Sequence, residues 1–549
     1  MKNQRRVNIH DESRWLHPWL TFAIFLFALA LLHFPLLRLP YFWDEAGYYI
    51  PAARDLLLTG SLIPHSTPSN AHPPLVMAYL ALWWKIAGFK TVITRLAMLA
   101  SAAFALTGFF RLALRVANIE VAIASTVCTI VYPVFFIQSS LAQVDLTAAG
   151  LTFWALLTYV ENRGTATAIW FSLAVLTKET AILAPLSLLG WELLRPHIRS
   201  SIISEQDSSR RNWALLFPIV PLGLWYAYHY RQTGFIFGNP EFFRYNVQST
   251  LQPLRILLAF LMRLWQCVGY LNLYVLTLAA LFAMWMPPLQ EEDSERERAR
   301  IAFDVQFALL AVILAYMIAL SAIGGAVLAR YMLPVVPLVI LVCVSTLRRR
   351  VRMWTGVIAL VALAFVAALF VNPPYGFSLE DNLAYRDYIR LHQRAENFIE
   401  ARYPNARVLT AWPASDELSR PYLGYVNQRY VSQPMKVFRV EDFTVEQLMS
   451  ASEVRSNFDV ALVFSTKYEP PHSVFDNVRF WQAWKTRFFG YHIDAPPAAA
   501  AQILGGRLIY TDRRDGQWVG VIEIEQALEA RSFVDRWTSA GKVAVVNRP

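Results

Sequence analysis

The sequence predicts an all-α polytopic membrane domain of about eleven transmembrane helices over residues 1–372, followed by a small α/β domain over 373–549. Two observations carry this. The 549 residues are 56% hydrophobic and only 16% charged, too apolar for a water-soluble chain of this length. Apolar runs of spanning length recur from Leu20 to Val371, whereas beyond Asn372 charges are interspersed as in a soluble domain.

The expected spans are 19–37, 95–116, 119–137, 145–161, 164–178, 180–194, 213–230, 269–287, 304–323, 331–347 and 353–372. The basic start (Lys2, Arg5, Arg6, Arg14) before an apolar run resembles a signal peptide. No small-residue cleavage site follows Leu37, so it reads as an uncleaved first helix. The segment 73–89 is apolar but short and interrupted by Lys85, and whether it spans sets the side of everything downstream. Read as interfacial, with Trp83 and Trp84 as anchors, it leaves Arg111, Arg115, Arg163, Arg195, Arg199, Arg210, Arg211 and Arg348–Arg350 cytoplasmic with the N-terminus. Read as a span, it moves them all outside. Charge therefore favours a multi-pass protein of the cell (inner) membrane, with a cytoplasmic N-terminus and an extracytoplasmic (periplasmic) C-terminal domain. The run 291–300 then reads as a solvated cytoplasmic loop.

The formal charge of +10 is not a nucleic-acid signal, because residues 373–549 carry 21 Lys/Arg against 21 Asp/Glu and the excess lies in the membrane part. The three cysteines (Cys128, Cys267, Cys343) lie in apolar segments without metal-ligand spacing, so packing is expected of them and disulfides are not. In the tail, an amphipathic helix is expected near 380–403, with strands at 407–412, 459–464, 507–510 and 519–524. Gly505–Gly506 and Asp515–Gly516 read as turns, and there is no phosphate-binding glycine loop.

The chemistry-bearing residues sit at helix ends. The first external loop, 38–94, opens with YFWDEAGYY, which places Asp44 and Glu45 just beyond the first span. A carboxylate there serves either as a base that takes a proton from an attacking hydroxyl or amine, or as a solvated loop acid. Asp145, in VDLTAAG, falls in the same outer compartment. It is either a second acid that shares this work or the N-cap of the next helix. Lys178 lies between two apolar half-passes and, with Arg330 and Tyr331, would suit a lipid-linked phosphate; the alternative is an intramembrane ion pair with Glu179. His72 and His229 are candidate ligands of a divalent metal, or ordinary hydrogen-bonded imidazoles. The loop from Arg231 to Arg255, with Asn239, Arg244 and Tyr245, reads as a closing loop or a plain interfacial one.

The order WDEAGYY, HPPLVMAYLALWWKIAGF, VDLTAAG, LTKE and ARYMLPVVP resembles the protein O-mannosyltransferase and lipid A aminoarabinose transferase superfamily over about residues 15–372. That resemblance implies a GT-C fold and an inverting sugar transfer from a polyprenyl-phosphate carrier to a lipid, glycan or protein acceptor. It also implies Asp44 as the base, with Lys178, Arg330 and Tyr331 near the carrier phosphate. The chain departs from the aminoarabinose transferases at His72-Pro73, where they carry a Glu-Lys pair, and its tail does not resemble the β-trefoil insert of the mannosyltransferases. Two other classes stay open: a secondary transporter, against which stands the lack of paired repeats, and a cell-surface polysaccharide polymerase or ligase.

Overall fold

The structure, a computed structural model, describes residues 17–198, 212–238, 243–244, 247–291, 296–426, 435–468, 470 and 478–525. Lys2, Arg5, Arg6, Arg14, Arg199, Arg210, Arg211, Asn239 and Tyr245 lie outside the described residues. The chain divides into two compact units, one of residues 1–38, 48–371 and 380–382, the other of 39–47, 372–379 and 383–549.

In the first unit every expected span coincides with a helix: Pro18–His33, Thr91–Val116, Ile119–Val131 with Pro133–Gln138, Val144–Val160, Gly164–Thr177, Leu183–Ile198, Ile219–Thr233, Leu273–Ala283, Phe303–Ala322, Val336–Arg350 and Trp354–Phe370. Among the described residues, four are long and apolar enough to cross a membrane: Pro18–Leu36, Thr91–Val116, Pro253–Ala283 and Phe303–Ala322. The count of about eleven is therefore not reached on length and composition, because several runs are broken. Tyr132 takes the extended backbone (φ −63°, ψ 124°) that the following Pro133 demands. Lys178 (φ −149°, ψ 128°) ends the helix before it, and Leu271 and Asn272 interrupt 253–283 with φ of 47° and 67°. Such breaks survive at membrane depth only where protein satisfies the freed backbone groups.

The ambiguous segment forms the helix Leu75–Ala87, whose 13 residues fall short of the roughly 20 that a bilayer needs. Two helices were not anticipated, Ile50–Thr59 and Pro253–Val268. The second buries Arg255, Leu258, Ala259, Arg263, Gln266 and Cys267 on one face, while Leu254, Leu257, Leu261 and Leu264 point outward. Its polar side is thus its inner side, as expected of a helix whose outer solvent is lipid. Thr91–Val116 and Val144–Val160 pack through small residues, and a Cβ on Gly150 would lie 2.6 Å from that of Ala105.

The second unit holds a five-stranded mixed sheet of order β2-β1-β3-β5-β4, from β1 (Arg407–Ala411), β2 (Lys436–Val440), β3 (Val460–Phe464), β4 (Gly506–Arg514) and β5 (Gln517–Ile524). β2, β1 and β3 are parallel, and β5 runs antiparallel to β3 and β4. Asp515 and Gly516, with φ of 43° and 82°, turn the β4–β5 hairpin as expected. Gly505 instead ends the helix Pro497–Leu504, while Gly506 already stands in β4. The amphipathic helix Ala384–Arg402 packs on β4 and β5. β2 escaped the sequence reading because its five residues are mostly exposed and carry no apolar alternation.

Asp494 fastens the loop beyond β3: its carboxylate accepts from the Phe443 amide (3.2 Å), the Thr466 amide (2.8 Å) and the Thr466 hydroxyl (2.7 Å). The hydrogen bond to Asp494 raises the pKa of His492 above its ordinary value, so the folded state binds that proton more tightly than the unfolded one. The stabilisation is complete below the unfolded pKa of about 6.5 and is lost as pH rises through the folded value. Thermal unfolding of the full chain between pH 6 and 9 is expected to lose this component with rising pH, and His492→Gln is expected to flatten the profile. A wild-type and variant pair with the same pH slope would show that the pair contributes nothing.

Candidate functional site

Helices Val144–Val160 and Gly164–Thr177 are joined by a turn of three residues, with Asn162 at φ 61°. An αα-hairpin this tight sets the first turn of one helix beside the last turn of the other. Asp145 and Lys178 meet there, with Lys178 Nζ 2.5 Å from Asp145 Oδ1 and both side chains buried. Arg330, on the single 3₁₀ turn Ala329–Met332, extends the contact: its Nε lies 3.4 Å from Asp145 Oδ2 and its Nη1 2.5 Å from Glu380. The amide of Gln143 donates to Glu380 Oε2 at 2.8 Å.

Tyr331 presents its ring to these cations. Lys178 Nζ stands 3.8 Å from the ring centroid, and the guanidinium carbons of Arg330 and Arg263 each stand 5.5 Å away. Arg263, fully buried, donates to Gln266 Oε1 (2.9 Å) and to the Leu328 carbonyl (2.6 Å), both neutral. Its Nε and Nη2 have no hydrogen-bond partner among the described residues. The ring thus gathers three cations, of which Lys178 contacts Asp145 and Arg330 contacts Asp145 and Glu380. A buried guanidinium held, like that of Arg263, by neutral acceptors alone favours an anion, since isolated charge in a dry interior is strongly disfavoured.

The structure rules out two of the alternatives weighed from the sequence. Lys178 does not pair with Glu179. With extended backbone at Lys178, neighbouring side chains point to opposite sides, so Lys178 reaches Asp145 while Glu179 Oε2 meets His72 Nδ1 at 2.8 Å. Asp145 is not an N-cap either: Gln143 holds that position, and Asp145 sits inside the first turn with its carboxylate on Lys178 and Arg330.

His229 spends both ring nitrogens on hydrogen bonds, to Ser69 Oγ (2.8 Å) and the Phe235 carbonyl (2.7 Å), so it behaves as an ordinary bonded imidazole. Together with Trp225, whose Nε1 donates to the Ala71 carbonyl at 2.9 Å, it fastens the loop before Leu75. Of the loop from Arg231 to Arg255, Arg244 is exposed, and Arg255 is buried against the carbonyls of Ser321, Gly324 and Gly325.

Asp44 and Glu45 belong to the second unit, on the loop Leu39–Gly47. Glu45 is fully buried and accepts from the Phe42 amide at 2.8 Å, closing the loop on itself, whereas Asp44 is half-buried. Trp43 holds φ 47°, a costly conformation for a bulky residue, and its ring packs edge-on to Tyr388 (5.7 Å) and Trp412 (5.2 Å). A Cβ on Gly47 would come 2.7 Å from the Trp412 ring, so only glycine allows this approach.

Sequence reasoning missed Glu380, Arg263 and Gln143. Arg263 had a legible signal: Arg255, Arg263 and Gln266 share one face of an otherwise apolar helix. Glu380 had none, because its partner Arg330 is 50 residues away.

The chain has the GT-C fold. It is similar to ArnT from Cupriavidus metallidurans bound to undecaprenyl phosphate, with a TM-score of 0.54 and 13% identity over 91% of this chain and 97% of that one. The apo form of the same transferase gives 0.53 and 14% over the same shares. A weaker likeness, TM-score 0.46 at 10% identity, over 92% of this chain and 74% of that one, links it to the oligosaccharyltransferase AglB of Archaeoglobus fulgidus. No protein-family model and no curated protein matches the sequence, so the likeness is one of fold.

Removing one partner of a buried ion pair typically costs about 3–5 kcal/mol, because the other charge is stranded. Asp145→Asn, which strands Lys178, is therefore expected to lower the thermal midpoint of the purified protein markedly. Asp145→Asn with Lys178→Met is expected to recover much of the loss. A single variant as stable as wild type would show that Asp145 is not the counter-ion.

Proposed function

We propose that the protein is a membrane glycosyltransferase that transfers a sugar from a polyprenyl-phosphate carrier to a lipid, glycan or protein acceptor on the extracytoplasmic face, with inversion. The observation that carries the reading is the buried cluster of Lys178, Arg263 and Arg330 around Tyr331, in which two nitrogens of Arg263 have no hydrogen-bond partner among the described residues. A carrier phosphate would give Arg263 a negatively charged partner. The GT-C fold and the undecaprenyl phosphate bound by a protein of similar fold support the same class of donor.

In this reading the acceptor hydroxyl or amine attacks the anomeric carbon, and the bond from that carbon to the phosphate oxygen breaks. The sugar leaves with the acceptor, and the carrier leaves as polyprenyl phosphate with increased negative charge. Lys178, Arg263 and Arg330 hold that charge in a site of low dielectric, where fixed cations gain more than in water. The Tyr331 hydroxyl adds a donor. Asp44 takes the acceptor proton, and Glu45, bonded to the Phe42 amide, holds the loop that presents it. Asp145 orients Lys178 and Arg330. His72 and Glu179 offer two donors to a divalent metal, which this reading does not require.

The decisive assay uses purified protein in lipid with radiolabelled polyprenyl-phosphate sugars, scored by release of the free carrier phosphate. Transport of a soluble solute without carrier release would replace the reading with a transporter, and turnover only with diphosphate-linked donors would replace it with a polymerase or ligase. Asp44→Asn is expected to lose about 100-fold to 10,000-fold in turnover while donor binding persists. Arg263→Gln, which removes charge-assisted hydrogen bonds worth about 1.5–3 kcal/mol, is expected to raise the donor KM roughly tenfold or more. Unchanged kinetics in both variants would dismiss these assignments.

The sidedness is tested separately, in a chain whose three native cysteines are replaced. The exposed residues Glu453 and Arg352 give the contrast. Glu453→Cys is expected to label with an impermeant maleimide in intact cells, and Arg352→Cys only after lysis. The reverse pattern would invert the topology.

A further inference from the structure

The second unit buries a second polar cluster for which the glycosyl-transfer reading has no use. His392 and Glu396 stand one turn apart on the helix Ala384–Arg402, and Glu417 comes from the helix Ala414–Ser419. All three are buried, with exposures of 1%, 0% and 0%. His392 Nδ1 lies 2.7 Å from Glu417 Oε2 and 3.8 Å from Glu396 Oε1. One ligand atom from each falls within 4.8 Å of the others.

What points to a ligand is what these groups lack. Among the described residues, both oxygens of Glu396, Oε1 of Glu417 and Nε2 of His392 have no hydrogen-bond partner. The ion pairs of both glutamates run to His392, and among the described residues no Lys or Arg pairs with either. Two carboxylates pressed together in a dry interior need a compensating cation or a shared proton, and the unpartnered oxygens favour the cation.

We propose that His392, Glu396 and Glu417 bind one divalent cation of the zinc class. The donor set selects the ion, since one imidazole with two carboxylates suits zinc and its neighbours, whereas calcium and magnesium take oxygen ligands. Two carboxylates and a dication sum to zero charge. Ligands about 2.1 Å from a tetrahedral ion lie about 3.4 Å apart, so the 3.8 Å contact is nearly in place and the 2.7 Å one must open by less than an ångström.

The site's place in the unit implies its role. Tyr388 stacks on His392 at 3.9 Å, and its ring also meets Phe42 (5.3 Å) and Trp43 (5.7 Å) edge-to-face, the residues that precede Asp44. Trp412, two residues before Glu417's helix begins, packs on Trp43 at 5.2 Å. An ion tying the two helices together would make one rigid platform under the loop Leu39–Gly47. His392, Glu396 and Glu417 are positioning residues in this account.

The test uses the full chain without a histidine tag, expressed with zinc supplied and dialysed against metal-free buffer, and does not depend on any transfer activity. Mass spectrometry of the metal content is expected to give about one equivalent of zinc, and prolonged chelation is expected to remove it and lower the thermal midpoint. The Glu396→Gln, Glu417→Gln double variant is expected to lose it. Should that variant not fold, cobalt substituted into the wild type is expected to show visible d–d bands of nitrogen and oxygen ligation, lost on chelation. No metal in the wild type, or an undiminished equivalent in the double variant, would overturn the proposal. So would a Glu396→Gln chain that is metal-free and more stable than wild type, since the site would then hold a shared proton.

Discussion

The contact on which the membrane unit turns is the buried chain of charges running from Lys178 through Asp145 and Arg330 to Glu380. None of these side chains could stand alone in an interior that excludes water, and each is tolerable only because the next is within reach. The chain also explains why its backbone is irregular. Lys178 sits where a helix stops, and Arg330 sits on a single 3₁₀ turn, so each can project into a common space that continuous helices would have kept apart. The broken helices and the charge cluster are one feature seen twice. The breaks deliver the charged groups, and the charged groups make the breaks worth keeping.

Beside that chain, two buried arginines are treated differently. Arg255 has its guanidinium satisfied by three backbone carbonyls and needs nothing further. Arg263, two turns along the same helix face, has two nitrogens without a protein partner. Two arginines on one helix thus do different things, the first locking a loop and the second leaving a charge available. The second unit treats its loop acids with the same economy. Glu45 is consumed in closing the loop, and the aromatic packing of Phe42 and Trp43 on Tyr388 and Trp412 leaves Asp44 half-buried beside them.

Much of the fold was legible because its signals are local. Apolar runs mark helices whatever they pack against, and the hairpin turn at Asp515–Gly516 needs only its two residues to be recognised. The helix Pro253–Val268 was overlooked because its inner face is polar, which the eye reads as a loop unless lipid is taken as the outer solvent. The buried trio in the soluble unit was overlooked for another reason. His392 and Glu396 at a helical spacing are unremarked in a charged helix, and Glu417 is assigned to them only by packing.

The sequence by itself determined the apolar helices of the membrane unit and four of the five strands of the small sheet, because these signals are local. Only the tertiary structure decided which acid each base would face. Glu179 adjoins Lys178 in the chain yet goes to His72, and Glu380, which sequence order assigns to the tail, belongs with the membrane unit and Arg330. The reason is physical. Backbone direction at a helix break sends neighbouring side chains apart, and charge pairing across fifty residues is settled by which helices pack, which no short stretch of sequence encodes.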